Sequence, residues 1–447
     1  MKPTRVRYGV MAFLCTLSFL TYYDRVCIMR AQDDIKRDLQ LSDDQLGYVF
    51  SAFFLAYALF EIPSGWFGDR FGARGTLTRI VSAWSLFTMM TGAATGFGVL
   101  FASRFLFGAG EAGAYPNMAR VQGRWLPPAA RAQAGGLLWL MARWGGAFAP
   151  LIFGGMLSLF DSTWFRSSLT GMPAIALLPS WRLGFFAAGL MGVVWCVLFY
   201  VWFRDDPAEK ATVNAAELQL IRAGAPSQEN LAHGAPGVWG PLLRSRSLWA
   251  LAIYYICGTI GWSFFVTWLP RYLKDKHQLQ FQDSELISGL PLFCGGIACL
   301  VGGMVSDRLF KTTGRKYLSR ALCPICGTFT AAMAMLLVPF AESVTQAVIL
   351  MCVAAAAFDF GQAANWATMV DVGGKHAGVS TGFINMVGNL GGFIAAPLGV
   401  MIFSNLSWSA LFIFYAAMYV IAGSMWLFID PTKRFHELVT PTPVITS

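Results

Sequence analysis

Charge is what this chain has least of. Only 13% of its 447 residues are Asp, Glu, Lys or Arg, against about 25% in soluble domains. Together with 56% hydrophobic residues, that shortage excludes an ordinary soluble protein and leaves a polytopic membrane protein. Histidine is also scarce. His233, His277, His376 and His436 all fall in expected loops or the tail, which argues against a histidine proton relay inside the membrane. No nucleophile–base set, metal-ligand spacing or phosphate-binding loop stands out, so no enzyme activity, metal or cofactor is expected. The nine cysteines lie in or beside apolar runs. Cys323-Pro-Ile-Cys326 has redox spacing but no soluble βαβ context, and reads as packing.

What the chain has in abundance is long apolar runs. Stretches of about twenty residues begin near Tyr8, Gln45, Leu77, Gly98, Gln133, Arg182, Leu248, Glu285, Leu318, Thr345, Gly378 and Trp408. They predict twelve membrane helices. The net charge of +9 does not gather into one patch, as a nucleic-acid site would require. Most of the 33 lysines and arginines fall on one side of these runs, with the N-terminus, the middle of the chain and the C-terminus. By the positive-inside rule both termini are cytoplasmic. The basic start and first apolar run resemble a signal peptide, yet they continue into Tyr22-Tyr-Asp-Arg25 without a small-residue cleavage site, so the run reads as a retained first span. Polar, Pro/Gly-containing residues 204–246 divide the chain into a six-helix bundle over 1–203 and another over 247–432, with a tail over 433–447. A long outward loop, about 161–180, carries Trp164, Phe165 and Leu177.

The fourth run, Arg104-Phe-Leu-Phe-Gly-Ala-Gly-Glu111-Ala-Gly-Ala-Tyr-Pro116, places an arginine and a glutamate where a charge costs at least ~2.5–3.5 kcal/mol. Read as one helix, it sets them about two turns apart on one face, with small residues elsewhere for close helix approach. Such a helix lines a polar cavity. Asp24-Arg25 ends the first run with a second acid–base pair. A structural ion pair is the plain reading; a carboxylate that titrates as its cationic partner moves is the sharper one. Arg143, Glu61 and Asp359 are further intramembrane charges. Mutual pairing is expected, Arg143 with Glu61 or Asp359. An unpaired Arg143 would instead suit a second substrate carboxylate. Asn385 and Asn389 share a helical face, and interhelical hydrogen bonding alone would explain either.

The chain also repeats itself. Gly65-Trp-Phe-Gly-Asp69-Arg70-Phe-Gly72-Ala-Arg74 follows the second run, and Gly303-Met-Val-Ser-Asp307-Arg308 the eighth. Weak repetition between halves is how many transporters are built, with the binding site where the halves meet. At the rim of the membrane, Gly65, Asp69, Arg70, Arg74, Asp307 and Arg308 read as a gate.

These loops resemble the signature of the major facilitator superfamily. Tyr22-Tyr-Asp24-Arg25, Gly108-Ala-Gly-Glu111-Ala, Arg124-Trp-Leu-Pro127, Phe203-Arg-Asp-Asp-Pro207, Trp268-Leu-Pro-Arg-Tyr-Leu273 and Asn385-Met-Val-Gly-Asn389 narrow the resemblance to its anion:cation symporter family. That family includes the bacterial sugar-acid:proton symporters, the D-galactonate transporter among them. The resemblance implies an all-α membrane protein of twelve helices in two pseudo-symmetric halves. It also implies a monomer in the bacterial inner membrane, moving a small organic anion such as an aldonate, hexuronate or aldarate with protons. It assigns proton carriage to Asp24 and Glu111, and substrate contacts to Arg25, Arg104, Tyr22, Tyr57, Trp366 and Asn385.

The departures are informative. Where the sugar-acid symporters carry a substrate-contacting glutamine in the fifth helix, this chain reads Leu140-Met-Ala-Arg143-Trp-Gly. Glu61 stands where glutamine is common, and Asp359 is an added acid. The rival readings are a proton-coupled exporter, loosely suggested by Gly145-Gly-Ala-Phe-Ala-Pro150, and a non-transporting nutrient sensor on a transporter fold.

Overall fold

The computed structural model describes residues 2–433 except 128–129, 169–170, 172–176, 223–238, 279–280 and 375–376. Some side chains inside helices, including those at Gly65, Asp69 and Arg70, also lie outside the described residues. So do His233, His376 and His436, whereas His277 closes a helix rather than lying in a loop. The described residues form helices joined by turns, without strands.

The first half comprises α1 (Val6–Leu39), α2 (Asp43–Phe71), α3 (Ala73–Gly92), α4 (Phe97–Glu111), α5 (Ala114–Trp125), α6 (Arg131–Asp161) and α7 (Ser180–Trp202). A short helix, α8 (Ala215–Arg222), follows. The second half comprises α9 (Arg246–Ser263), α10 (Leu269–His277), α11 (Phe281–Thr313), α12 (Lys316–Leu337), α13 (Val344–Gly373), α14 (Ala377–Asn405) and α15 (Trp408–Met425). A wide π-turn, Phe264–Trp268, joins α9 to α10 and makes one span of them. It lies just before Pro270, which has no N–H to continue the regular ladder.

Eight helical segments among the described residues are long and apolar enough to cross a bilayer. Arg74 and Arg79 make α3 less apolar, and the fourth span is broken into two shorter helices, α4 of 15 residues and α5 of 12.

Helix packing repeats between the halves. In the first, α1 packs on α6, α2 on α4, and α3 on α7. In the second, the corresponding pairs are α9 on α14, α11 on α13, and α12 on α15. The halves meet along α6 with α11 and α2 with α14, again equivalent pairs. Aromatic stacking fastens the first of these seams, where Trp144 and Phe293 lie parallel with centroids 5.5 Å apart.

One expectation needs correction. The fourth span is two helices, not one. Ala112 turns extended (ψ 135°) and Gly113 adopts φ 88°. A Cβ on Gly113 would lie 2.3 Å from the Cβ of Ser64 on α2, so both the left-handed backbone and the close approach require glycine. Pro116 falls in the first turn of α5, where its missing N–H is tolerated. Glu111 is therefore a helix end and not a mid-helix residue.

Candidate functional site

Four charged residues of the first half converge beneath that break. Asp24 and Arg25 come from α1, Arg104 and Glu111 from α4. Arg25 Nε donates to Glu111 Oε1 at 2.6 Å, and Nη2 comes equally close to the same oxygen. Asp24 has Glu111 and Arg104 as its electrostatic neighbours and lies near the Trp84 indole. Asp24, Arg104 and Glu111 are all buried.

Several valences in this cluster are unused. Asp24 Oδ1, Arg104 Nε, Glu111 Oε2 and the Trp84 indole N–H lack a hydrogen-bond partner in the protein. Buried polar atoms are normally satisfied, and four orphans around two acids and a cation mark a place where a proton or a polar ligand completes the network. The cations are also framed by rings. Arg25 lies over Tyr22, Phe53 and Tyr57 at 4.9, 5.2 and 4.6 Å. Arg104 lies over Phe107 at 4.4 Å and Phe53 at 5.5 Å. Ring faces stabilise a desolvated guanidinium by about 0.5–2 kcal/mol, without satisfying its N–H groups.

Arg143 on α6 is paired, and the partner is Asp359 on α13. Nε donates to Oδ2 at 2.7 Å and Nη2 to Oδ1 at 2.6 Å, a bidentate fork buried between the halves. Arg143 also lies 4.7 Å over the Trp262 ring and 5.6 Å over Trp139. Glu61 on α2 turns instead to α14, where Asn389 Nδ2 donates to its Oε2 at 3.3 Å. Arg25, Glu111 and Asn385 are further neighbours of Glu61. Both asparagines therefore face Glu61, and Asn385 is buried with its side-chain oxygen unpartnered.

The space between these charges is walled by rings. Tyr22 meets Tyr115, Trp139 and Trp262 edge-on. Trp366 meets Tyr115 and Trp139 edge-on, each at 6.0 Å, and its own indole N–H is unpartnered. Tyr22, Tyr57, Trp366 and Asn385 are therefore brought to one centre with Arg25 and Arg143. Sequence reasoning missed Tyr115, Trp139 and Trp262. In a chain that is 15% aromatic, individual rings carry no distinguishing signal.

The gate residues divide. On the face where the basic residues gather, Asp307 Oδ2 accepts from the Gln133 backbone N–H at 2.9 Å, across the two halves. Its cation is Arg320, at 3.3 Å, not its neighbour Arg308, which is exposed. Arg74 does not reach the other half. Its guanidinium donates to the Tyr200 carbonyl at 2.6 and 3.0 Å and covers the Tyr200 ring, because α3 packs on α7. Gly65, Asp69 and Arg70 belong to the undescribed side chains. Near this face the halves are closed down to a cavity of about 10 Å³ between Gln122, Arg131, Arg320, Trp366 and Asp371, room for about one water.

Two repeated six-helix sets around a shared, charge-bearing centre define a membrane transporter. The chain belongs to the Major Facilitator Superfamily, whose family model matches residues 14–396. It is 31% identical to the probable sulfoacetate transporter SauU of Cupriavidus necator over 96% of this chain and 94% of that protein. It is 30% identical to the probable galactarate/D-glucarate transporter GudP of Escherichia coli, over 89% and 87%. It is 29% identical to the hexuronate transporter of Bacillus subtilis, over 93% and 92%. Among solved structures, the proton:xylose symporter XylE superposes with a TM-score of 0.73 over 97% of this chain and 99% of that one. At 14% identity, that likeness speaks for the fold.

Proposed function

We propose that this transporter imports a small organic acid with protons, and that the acid carries two negative groups. The observation that carries the reading is the pair between half-buried Arg25 and buried Glu111, with Asp24 and Arg104 beside it. Two acids and two arginines in one apolar pocket are stable only while their charges balance. When a proton neutralises Glu111, Arg25 is left with a planar donor fork suited to a carboxylate or sulfonate. Protonation of Asp24 does the same for Arg104. Substrate and protons thus load together, and the neutralised centre rocks between faces.

Two of the relatives favour a substrate with two charged ends, whereas the third is named for hexuronate, which carries one acid group. Galactarate, D-glucarate and sulfoacetate, for which two of the relatives are named, each carry two acid groups. Tyr22, Tyr57, Trp366 and Asn385 supply ring faces and polar tips for the carbon chain between them. In this reading the basic face is cytoplasmic, the halves divide at 204–246, the protein sits in the bacterial inner membrane as a monomer, and Asp307, with the end of α2 around Asp69 and Arg70, gates the inner exit.

Uptake of labelled D-glucarate and sulfoacetate into proteoliposomes tests the proposal. Acidifying the outside should drive accumulation above equilibrium, and a protonophore should abolish it. Equilibration at the same level with and without the pH gradient refutes proton coupling.

A further inference from the structure

We propose that Arg143 receives the second acidic group of the substrate, and that Asp359 occupies its donor fork in the conformation seen here. The proposal rests on the dianion reading above and assigns its second binding cation. The geometry of the pair is that of a bound carboxylate, with two parallel N–H···O bonds to the two oxygens of one group. The pair joins α6 of one half to α13 of the other. It is thus made across the surface on which the halves must move, unlike the Arg25–Glu111 pair, which lies within one half.

The local sequence makes room for this carboxylate. A Cβ at Gly295 on α11 would lie 2.3 Å from Asp359 Oδ2, so only glycine leaves the space. At Gly296 a Cβ would crowd Leu140, Arg143 and Trp144 at 3.1–3.2 Å. The site also faces the first one. Tyr22, whose ring lies under Arg25, meets the edges of Trp139 and Trp262, the two rings under Arg143. Tyr22 is an electrostatic neighbour of both arginines. One aromatic side chain therefore separates the two guanidinium groups, and a short chain with an acid at each end would pass beside it.

Exchange of the pair leaves Arg143 with an acidic partner in both states. If the substrate takes the fork, Asp359 loses its cation. The other titratable groups facing it are Cys299 on α11, Tyr254 on α9 and Tyr419 on α15, none of them a cation. A buried carboxylate left that way is costly, so the fork returns to Asp359 once the substrate leaves.

The test compares D-glucarate with D-gluconate, six-carbon acids differing at one end only, the second carboxylate against a hydroxymethyl. Binding is measured by thermal shift of purified protein and uptake in proteoliposomes. Arg143→Gln should reduce the preference for D-glucarate over D-gluconate at least ten-fold, with Arg143→Lys in between. Asp359→Asn should lower the half-saturating D-glucarate concentration several-fold, since the fork is then uncontested. If Arg143→Gln fails to fold, the Arg143→Lys and Asp359→Asn results decide. The double variant Arg143→Gln/Asp359→Asn separates this role from a structural one: it should keep the low preference, whereas recovery of the wild-type ratio overturns the assignment. A wild type that prefers D-glucarate, with variants that leave the ratio unchanged, overturns the role of Arg143 alone. A wild type without that preference, or binding neither acid, overturns the dianion reading with it.

Discussion

The carboxylate of Asp307 at the end of α11 accepts the backbone N–H of Gln133 at the start of α6, 2.9 Å away and in the other half of the molecule. An acid at a helix N-terminus satisfies an amide with no intrahelical partner and meets the positive end of the helix dipole. Arg320 holds Asp307 in place from α12, and Asp371 holds Arg320 in turn, at 3.7 Å. Removing the carboxylate with Asp307→Ala should favour the conformation open at this face. Cysteines placed on α6 and α11 near this contact should label faster from the basic side. Uptake should fall about ten-fold, the equivalent of losing ~1.4 kcal/mol from the closed state.

Asp24 and Glu111 should separate binding from coupling. Asp24→Asn leaves a neutral, isosteric group beside Arg104 but gives it no proton to exchange. Proton-driven accumulation should disappear, while exchange of labelled for unlabelled substrate across the same vesicles continues. Glu111→Gln should act in the same direction with a larger loss of exchange, because Arg25 then has no charged partner between cycles. Loss of exchange in Asp24→Asn as well would make Asp24 a binding residue.

How much of this was legible beforehand depends on whether a feature is carried by composition, spacing or shape. The twelve spans and the paired Asp–Arg segments follow from apolar run length and repetition, although both pairs end helices rather than forming loops, and each expected span begins within a described helix. That Arg143 would pair with Glu61 or Asp359 followed from cost alone, since isolated buried charges are untenable; the choice of Asp359 did not. The split between α4 and α5 was not legible, because Gly113 is one of several small residues in that run and only the approach of Ser64 singles it out. The role of Arg320 was hidden likewise, lying thirteen residues beyond its partner in another helix. The Phe203-Arg-Asp-Asp-Pro207 segment also proved more specific in space than in sequence. Asp205 accepts the N–H groups of Ala73 and Arg74 and so caps α3.

The break itself can be tested. Gly113→Ala asks a side chain to adopt φ 88° and to overlap Ser64. The backbone strain costs about 1–2 kcal/mol, and the overlap pushes α2 away from α5. The melting temperature in detergent should drop, and uptake should fall more than stability alone explains, because Glu111 closes the helix that this turn terminates. Gly113→Ala with Ser64→Gly removes the clash but not the strain, and should recover part of the loss.

The last prediction concerns Glu217, a buried acid on α8 in the segment between the halves. Its carboxylate accepts the hydroxyl of Thr4, the backbone N–H groups of Val6 and Arg7, and the guanidinium of Arg7. It thereby caps α1 from outside, doing for the first helix what Arg5 at its N-cap does not. Asn214 reinforces the junction by accepting from the N–H of Thr4 and donating to the carbonyl of Lys2. Glu217→Gln removes the charge while preserving shape, so the amides keep an acceptor but lose charge assistance, and Arg7 loses its partner. Hydrogen bonds to a charged group contribute about 1.5–3 kcal/mol, so the melting temperature should fall by a few degrees. Arg7→Met should cost less, because the two backbone amides and Thr4 still find the carboxylate. Hydrogen exchange should show the effect first in the opening turns of α1, next in α8, and last around Arg104 and Arg143.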